Sequence, residues 1–309
     1  MQRKILVPLD GLPLAEKALP LAAYLADILG AGLDLVSVVP AEASSHLVAH
    51  RYLERVAAAT GRPADIRLMR GEAGPCIVRE ANAAAVGLVV MATHARAGVT
   101  RAVLGSVAQY VVAHASVPVL LIPPHASRKA VLNTVLVAID RTTAAPVNTL
   151  LDLARAAAAH IVLLSVVAPE EIAIWQWQRG PLLDEPQAVA ATRRQLEDLA
   201  TRLREAGVAA EARVAVGSAA HLIQSTAETI DADLIVMCTH ARGGAQRAVQ
   251  GSVTDAVVHT ANRPVLACRL IPPPPAEVRQ IDLFHAMQRR TPRSRPTSIP
   301  APLQALRPH

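Results

Sequence analysis

The residues best suited to chemistry lie in a phrase that occurs twice in the chain. Residues 91–106 read MATHARAGVTRAVLGS, and residues 237–252 read MCTHARGGAQRAVQGS. Each copy ends in a Gly-Ser pair that precedes a predicted helix. A serine at a helix start can cap free backbone N–H groups, and the same N–H groups, together with the helix dipole, attract phosphate. The pair therefore indicates either a plain helix cap or a phosphate-binding loop.

Two further pairs of residues fall at the ends of predicted strands. Asp10 and Asp140 follow the first strand of each half of the chain, and Val38 and Val166 end the second strand. Ligands of open parallel α/β sheets bind beyond the carboxyl ends of the strands, at the topological switch point. We therefore expect the carboxylates, the valines and the Gly-Ser pairs to share one ligand-binding edge in each half.

The elements that position these residues follow from the hydrophobic pattern. Short apolar runs without alternation predict strands buried on both faces, and Ala/Leu-rich stretches between them predict crossover helices. In the first half the predicted strands are 4–9, 33–39, 65–69, 87–92 and 117–122, with helices at 13–30, 44–60, 74–84 and 105–115. In the second half the predicted strands are 133–139, 160–166, 210–215, 233–238 and 264–269. The predicted fold class is α/β, with a doubly wound five-stranded parallel sheet in each half.

The chain is a duplicated domain, because matching segments recur in the same order. RKILVPLDG at 3–11 resembles NTVLVAIDR at 133–141, and LDLVSVVP at 33–40 resembles IVLLSVVAP at 161–169. Proline-rich linkers predict a first domain at 1–125, a second at 130–271 and a largely disordered Pro/Arg-rich tail at 272–309. An insertion between about 168 and 190 in the second half carries the only two tryptophans, Trp175 and Trp177.

Composition narrows the class of protein. Apolar residues make up 52% of the chain and aromatic residues only 2%, which predicts an aliphatic core and disfavours base-stacking RNA modules. The formal charge is +6, but six arginines in the tail face only Glu277 and Asp282, so the basicity does not indicate specific nucleic-acid binding by the body. The sequence has no apolar run of membrane-spanning length and opens without a signal peptide, so a cytoplasmic location is expected.

Other kinds of site find little support in the sequence. The three cysteines, Cys76, Cys238 and Cys268, form no CxxC pair or zinc spacing, and small structural roles suit them better than reactive ones. Dinucleotide, P-loop, HExxH and GxSxG motifs do not occur. No catalytic residue and no metal ligand is predicted.

The motifs together resemble a tandem of universal stress proteins. The opening ILVPLDG at 5–11, the strand end LIVMCTH at 234–240 and the GSV segments at 105–107 and 251–253 are characteristic of that family. The resemblance covers both halves and implies a Rossmann-like fold, similar to that of the adenine-nucleotide alpha-hydrolases. It further implies binding of an adenine nucleotide, because ATP-binding members carry G-x2-G-x9-G-[ST] after the fourth strand and place an Asp and a Val near the adenosine.

The resemblance assigns nucleotide-binding residues one by one. In the first half these are Pro8, Asp10, Val38, Met91, His94, Ala95, Gly105, Ser106 and Val107. In the second half they are Asp140, Val166, Met237, His240, Ala241, Gly251, Ser252 and Val253. The histidines are expected either near the phosphates or as loop residues bonded to backbone.

Both halves depart from the family pattern at its two leading glycines. Ala92 and Ala95 replace them in the first half, and Cys238 and Ala241 replace them in the second. If the glycine φ is positive, alanine costs about 1–2 kcal/mol. If φ is ordinary, the backbone survives and a methyl group points toward the phosphates. Either case weakens phosphate binding.

Three functions remain open at this point. The first is a cytoplasmic stress-response regulator or sensor that binds ATP, with Mg²⁺ accompanying it, or another adenine nucleotide. The second is a scaffold or dimerisation protein that binds no nucleotide, and the third is a slow ATP hydrolase or nucleotide-dependent transferase. The resemblance also implies a homodimer or an internal pseudo-dimer through the last strand of each domain, 117–122 and 264–269.

Overall fold

The computed structural model describes residues 3–42, 46–83, 85–93, 104–126, 130–140, 147–168, 185–240 and 253–270. The chain divides into two units, Met1–Ile271 and Pro272–His309. The described residues all belong to the first unit, and the predicted disordered tail lies outside them. The Trp175 and Trp177 insertion lies outside them as well. The predicted domain boundaries stay a prediction.

The first half alternates strands and helices in the predicted order. The elements are β1 Lys4–Pro8, a 3₁₀ helix Ala15–Ala18, α1 Leu19–Ile28, β2 Gly32–Val39, α2 His46–Ala59, β3 Ala64–Arg70, α3 Ala73–Ala81, β4 Val86–Ala92, α4 Ser106–His114 and β5 Val119–Ile122. The helix predicted at 13–30 is thus split into a 3₁₀ turn and a shorter α-helix. Pro20 lies in the first turn of α1, where its missing N–H would be unpaired in any helix.

The second half repeats this plan. Its elements are β6 Thr134–Ala138, α5 Val147–Ala157, β7 His160–Val167, α6 Glu185–Glu205, β8 Ala210–Val216, α7 Ala219–Thr229, β9 Leu234–His240, α8 Val253–Thr260 and β10 Val265–Leu270. The predicted strand segments in both halves coincide with the observed ones to within one or two residues at most ends. The α/β class with a doubly wound parallel sheet in each half is confirmed.

One sheet of ten strands runs through both halves in the order β3-β2-β1-β4-β5-β10-β9-β6-β7-β8. Neighbouring strands are parallel within each half, and β5 and β10 meet antiparallel, with Val119, Leu120 and Leu121 opposite Ala267, Leu266 and Val265. The last strands of the two halves, which the resemblance implied as a pairing edge, are therefore hydrogen-bonded to each other. Since β5 already has β4 on its other side, a second chain cannot pair with it without displacing β10. A homodimer stays a prediction.

Aliphatic clusters cover both faces of this sheet. On one face α1, α2, α5 and α6 pack over side chains such as Val7, Leu35 and Leu163, and on the other α3, α4, α7 and α8 pack over Leu6, Val36 and Leu164. Strands buried on both faces explain why the apolar runs in the sequence lack alternation. Each cluster extends across the β5–β10 junction, so the halves share their core.

A buried ion cluster distinguishes the first half from the second. The fully enclosed Asp34 on β2 pairs with Arg67 on β3, which also pairs with Glu80 on α3. Arg67 Nε donates to Asp34 Oδ1 at 3.2 Å, and the bond to Asp34 raises the pKa of the guanidinium. The aligned residues of the second half are Val162 and Arg213, and Arg213 pairs instead with the exposed Glu211 at 2.6 Å. The duplicated position therefore offers an internal control.

We expect Arg67→Met to lower the free energy of unfolding by about 2 kcal/mol, because it strands the Asp34 carboxylate in the core; partial exposure of Arg67 limits the loss. Arg213→Met, the matched control, is expected to cost less than about 1 kcal/mol, since it removes a surface pair. Adding Asp34→Val to Arg67→Met gives the first half the valine that the second half has at this position. This double variant should regain most of the stability lost in Arg67→Met. Urea unfolding gives the free energy of unfolding of the unchanged protein and of the three variants. Equal losses for Arg67→Met and Arg213→Met would contradict the view that the buried Asp34 carboxylate needs a charged partner.

Candidate nucleotide-binding edge

The first strand of the first half delivers an exposed carboxylate to the carboxyl edge of the sheet. The side chain of Pro8 is buried at the end of β1, and Leu9 N–H extends the pairing by donating to Val36 O at 2.8 Å. Asp10 is exposed, and its Oδ1 accepts from Leu12 N–H at 3.0 Å. Gly11, at φ +87°, takes the left-handed conformation that turns the chain toward the 3₁₀ helix. The turn thereby fixes the Asp10 carboxylate at the strand end.

Apolar residues from neighbouring elements meet close to this carboxylate. Met91 on β4 is buried in the cluster that also contains Leu104, while Val38 on β2 and Val107 on α4 pack against it half-buried. Because β1 lies between β2 and β4 in the sheet, the ends of these three strands are adjacent. The predicted residues Pro8, Asp10, Val38, Met91 and Val107 are therefore brought to one edge.

The start of α4 presents backbone donors at the same edge. Gly105 is the N-cap residue, with φ −61° and ψ 149°, and as a glycine it makes no side-chain capping hydrogen bond. Ser106 is the first helical residue, and its side chain is exposed. The serine is therefore not the N-cap residue of this helix, which disfavours the interpretation of the Gly-Ser pair as a plain serine cap. The first N–H groups of α4 and the serine hydroxyl can donate hydrogen bonds to an anion.

The backbone at Ala92 settles one of the two alternatives for the missing glycine. Ala92 is the last residue of β4, where it is paired with Ile122 and buried. Thr93 N–H then donates to Ile122 O at 2.9 Å. Ala92 therefore has ordinary strand geometry, and alanine causes no backbone strain there. In the second half Cys238 likewise lies within β9, opposite Cys268 of β10.

The second half repeats the arrangement as far as it is described. Asp140 is exposed just after β6, where Ile139 N–H donates to Leu164 O at 2.9 Å, as Leu9 does to Val36. Val166 is half-buried on β7, and Met237 is buried on β9 between Ala138 and Ala267. His240 ends β9 and Val253 starts α8.

Five of the predicted residues lie outside the described residues. They are His94, Ala95, Ala241, Gly251 and Ser252. Their roles, including the two alternatives for the histidines, stay predictions.

Sequence reasoning missed a tyrosine that the fold brings near Asp10. Burial, followed by the negative charges of Glu16 and Asp10, raises the pKa of Tyr52 to about 12. The Arg55 guanidinium lies 5.3 Å from the centre of the Tyr52 ring and donates to Glu16 Oε1 at 2.8 Å. Tyr52 is on α2, which carries no part of the repeated motifs. The one signal for Tyr52 in the sequence is that the chain has only three tyrosines.

Two other kinds of feature are absent from the part of the chain that the structure describes. No group of three or more His, Cys, Asp and Glu side chains is placed to hold a metal ion there. In the same ranges no helix has the length and apolar character needed to cross a membrane.

The fold and this edge define a tandem of doubly wound α/β domains. The universal stress protein family model matches residues 1–123 and 132–269. The chain belongs to the universal stress protein family, and the tandem predicted from its motifs is confirmed. The comparison with curated proteins finds no match.

Solved structures agree with this fold. A universal stress protein from Archaeoglobus fulgidus is 16% identical, with a TM-score of 0.64 over 86% of this chain and 96% of that chain. A putative universal stress protein from Pseudomonas aeruginosa is 22% identical, with a TM-score of 0.64 over 87% of this chain and 93% of that chain. Both span nearly the whole tandem, and at these identities they show the fold alone.

We expect the Tyr52 hydroxyl to ionise near pH 12. Because the folded state holds this proton more tightly than the unfolded state does, stability should fall as pH rises from about 10 to about 12. Absorbance at 295 nm follows the titration, and Tyr52→Phe should remove its highest-pH component. Glu16→Gln should move that component to lower pH, whereas Tyr110→Phe, the control, should leave it in place. A highest-pH component that survives in Tyr52→Phe would contradict the assignment.

Proposed function

We propose that this universal stress protein is a cytoplasmic stress-response regulator or sensor that binds ATP or another adenine nucleotide at the carboxyl edge of its sheet. Mg²⁺ is expected to accompany ATP. The proposal includes no efficient catalysis, since proteins of this family are generally non-catalytic.

One observation carries the proposal: three adjacent strand ends of the first half combine a carboxylate, an apolar surface and a helix start without a side-chain cap. The Asp10 carboxylate would accept hydrogen bonds from ribose hydroxyls. Val38 and Met91 would pack against the base, and the N–H groups at Gly105 and Ser106 would donate to phosphate oxygens. These three kinds of group match the three parts of a nucleotide.

The geometry at Ala92 bears on how tightly such a ligand is held. Because Ala92 has strand geometry, the departure from the family glycine adds one methyl group and no strain to the edge. The second departure, Ala95, lies outside the described residues, while Gly105 and Ser106 match the last two positions of the family pattern. We therefore propose binding that is weaker than with glycine.

The second half supports a second site of the same kind. Asp140, Val166 and Met237 occupy the aligned places on β6, β7 and β9, and these strands are neighbours in the sheet. We propose that this half binds the same class of nucleotide.

Calorimetry with ATP, AMP and cAMP tests the proposal. We expect saturable binding at up to millimolar nucleotide, with loss of one site in Asp10→Ala, of the other in Asp140→Ala, and of both in the double variant. Asp198→Ala, which changes an exposed aspartate on α6, controls for the charge change. No heat of binding with any of the three nucleotides would overturn the proposal and favour the scaffold function.

Replacing Ala92 by glycine tests the cost of the methyl group. We expect Ala92→Gly to raise nucleotide affinity by about threefold to tenfold, which corresponds to about 1 kcal/mol. The same change should lower the free energy of unfolding by about 0.5–1 kcal/mol, because glycine in a strand loses more backbone entropy on folding. An affinity that stays constant or falls in calorimetry, with the protein still folded, would place the methyl group away from the phosphates.

A further inference from the structure

An apolar cavity lies at the junction of the two halves, away from the proposed nucleotide edge. Its volume is about 690 Å³. Its floor is a row of aliphatic side chains from five neighbouring strands, and its walls are α1 and α5. The floor residues, in strand order, are Ile5, Leu88, Leu120, Leu266 and Leu234.

The cavity sits at the opposite end of the strands from the nucleotide edge. Lys4 and Ile5 begin β1, Gly87 and Leu88 lie at the start of β4, and Pro118 precedes β5. None of the residues that line it belongs to the predicted nucleotide-binding set. It is therefore a separate site, whose ligand does not depend on the proposed function.

The duplication explains why space is left between the two helices. Leu25 on α1 corresponds to Leu153 on α5, and both line the cavity. One turn further on, Ile28 on α1 corresponds to Ala156 on α5, which also lines it. The shorter side chain on α5 leaves room that a second isoleucine would fill. The cavity opens to solvent beside Leu29, which is 39% exposed.

The lining selects an aliphatic ligand. Its volume is in the range of small-molecule pockets, which are mainly apolar with a few polar groups that orient the ligand. The lining contains aliphatic side chains and no aromatic ring, so nothing there stacks on a base. An extended acyl chain is the kind of ligand that such walls solvate best, because its burial removes apolar surface from water on all sides.

The rim selects an anionic head group. The charged residues of the lining are Arg3, Lys4, Arg155 and a single acid, Asp152, and Arg3, Asp152 and Arg155 are exposed to solvent. The charge of Lys4 is already matched by Asp65 at 2.7 Å. Among the residues that the structure describes, the hydrogen-bond acceptor of Arg155 is the neutral Ala206 carbonyl, at 2.6 and 3.1 Å. Within the described ranges Arg3 makes no ion pair. Within the described part of the chain neither arginine has a carboxylate partner, so the two arginines and the single acid Asp152 leave this side of the cavity with a net positive charge.

We propose that this cavity binds a single-chain fatty acid, with the acyl chain between α1 and α5 and the carboxylate held by Arg3 and Arg155. The site would connect the two halves, because the ligand contacts strands from both. Affinity should rise about threefold to fourfold for each methylene buried, until the chain fills the cavity.

The test is calorimetry of the full chain with octanoate, decanoate and dodecanoate below their micelle concentrations. We expect one molecule bound per chain, with affinity rising with length, and at least tenfold weaker binding of the uncharged dodecyl maltoside. Ala156→Trp should abolish binding by filling the cavity, while Ala190→Trp, an exposed α6 position, should not. Arg3→Glu should weaken binding tenfold or more, and Arg51→Glu, an exposed α2 position, should leave it unchanged.

Thermal melts of each variant separate loss of binding from loss of the fold. Arg155→Gln, which keeps a polar side chain, is a second charge variant in case Arg3→Glu unfolds. No binding of any chain length, or equal binding of maltoside and carboxylate that ignores both arginines, would overturn the proposal. Light scattering that shows a dimer broken by Ala156→Trp would also overturn it, because a second copy would then occupy the groove.

Discussion

The antiparallel pairing of β5 with β10 is the contact on which the rest of this structure depends. Each half alone would end in an exposed apolar edge strand, which invites pairing with other chains. Joining the two edges closes both and makes a single ten-stranded sheet, over which the aliphatic clusters of the two halves become continuous. The junction also brings Leu120 and Leu266 together in the floor of the cavity between α1 and α5.

The antiparallel junction also separates the functions in space. Because strands within each half are parallel, each half gathers its carboxyl ends, with Asp10 or Asp140, at one edge. The carboxyl edges of the two halves then lie at opposite ends of the strands, because β5 and β10 run in opposite directions. The proposed nucleotide edges are therefore separate, and the cavity between α1 and α5 lies away from both of them.

Duplication has not kept the halves identical. Asp34 and its arginine form a buried ion pair where the second half has Val162, so the same strand position is polar in one copy and apolar in the other. Ile28 and Ala156 differ in size instead of polarity, and the smaller alanine leaves more room in the cavity that both residues line. The buried charge of Asp34 requires its arginine partner to lie in one place, whereas the small side chain of Ala156 makes fewer packing contacts than an isoleucine would. Single substitutions between the two copies thus account for the ion pair of the first half and for the smaller side chain that the second half contributes to the cavity.

The sequence by itself determined the fold class, the strand order along the chain and the duplication, because apolar runs without alternation and repeated motifs report burial and ancestry directly. It also placed Val38 and Met91 near the carboxyl ends of their strands, Asp10 just after a strand and the Gly-Ser pair at the start of a helix. Tertiary structure decided what depends on distant residues: the approach of Tyr52 to the charges of Glu16 and Asp10, the burial of Asp34 and the cavity between α1 and α5. Those features arise where elements far apart in sequence pack together, and no local pattern records which side chains will then meet.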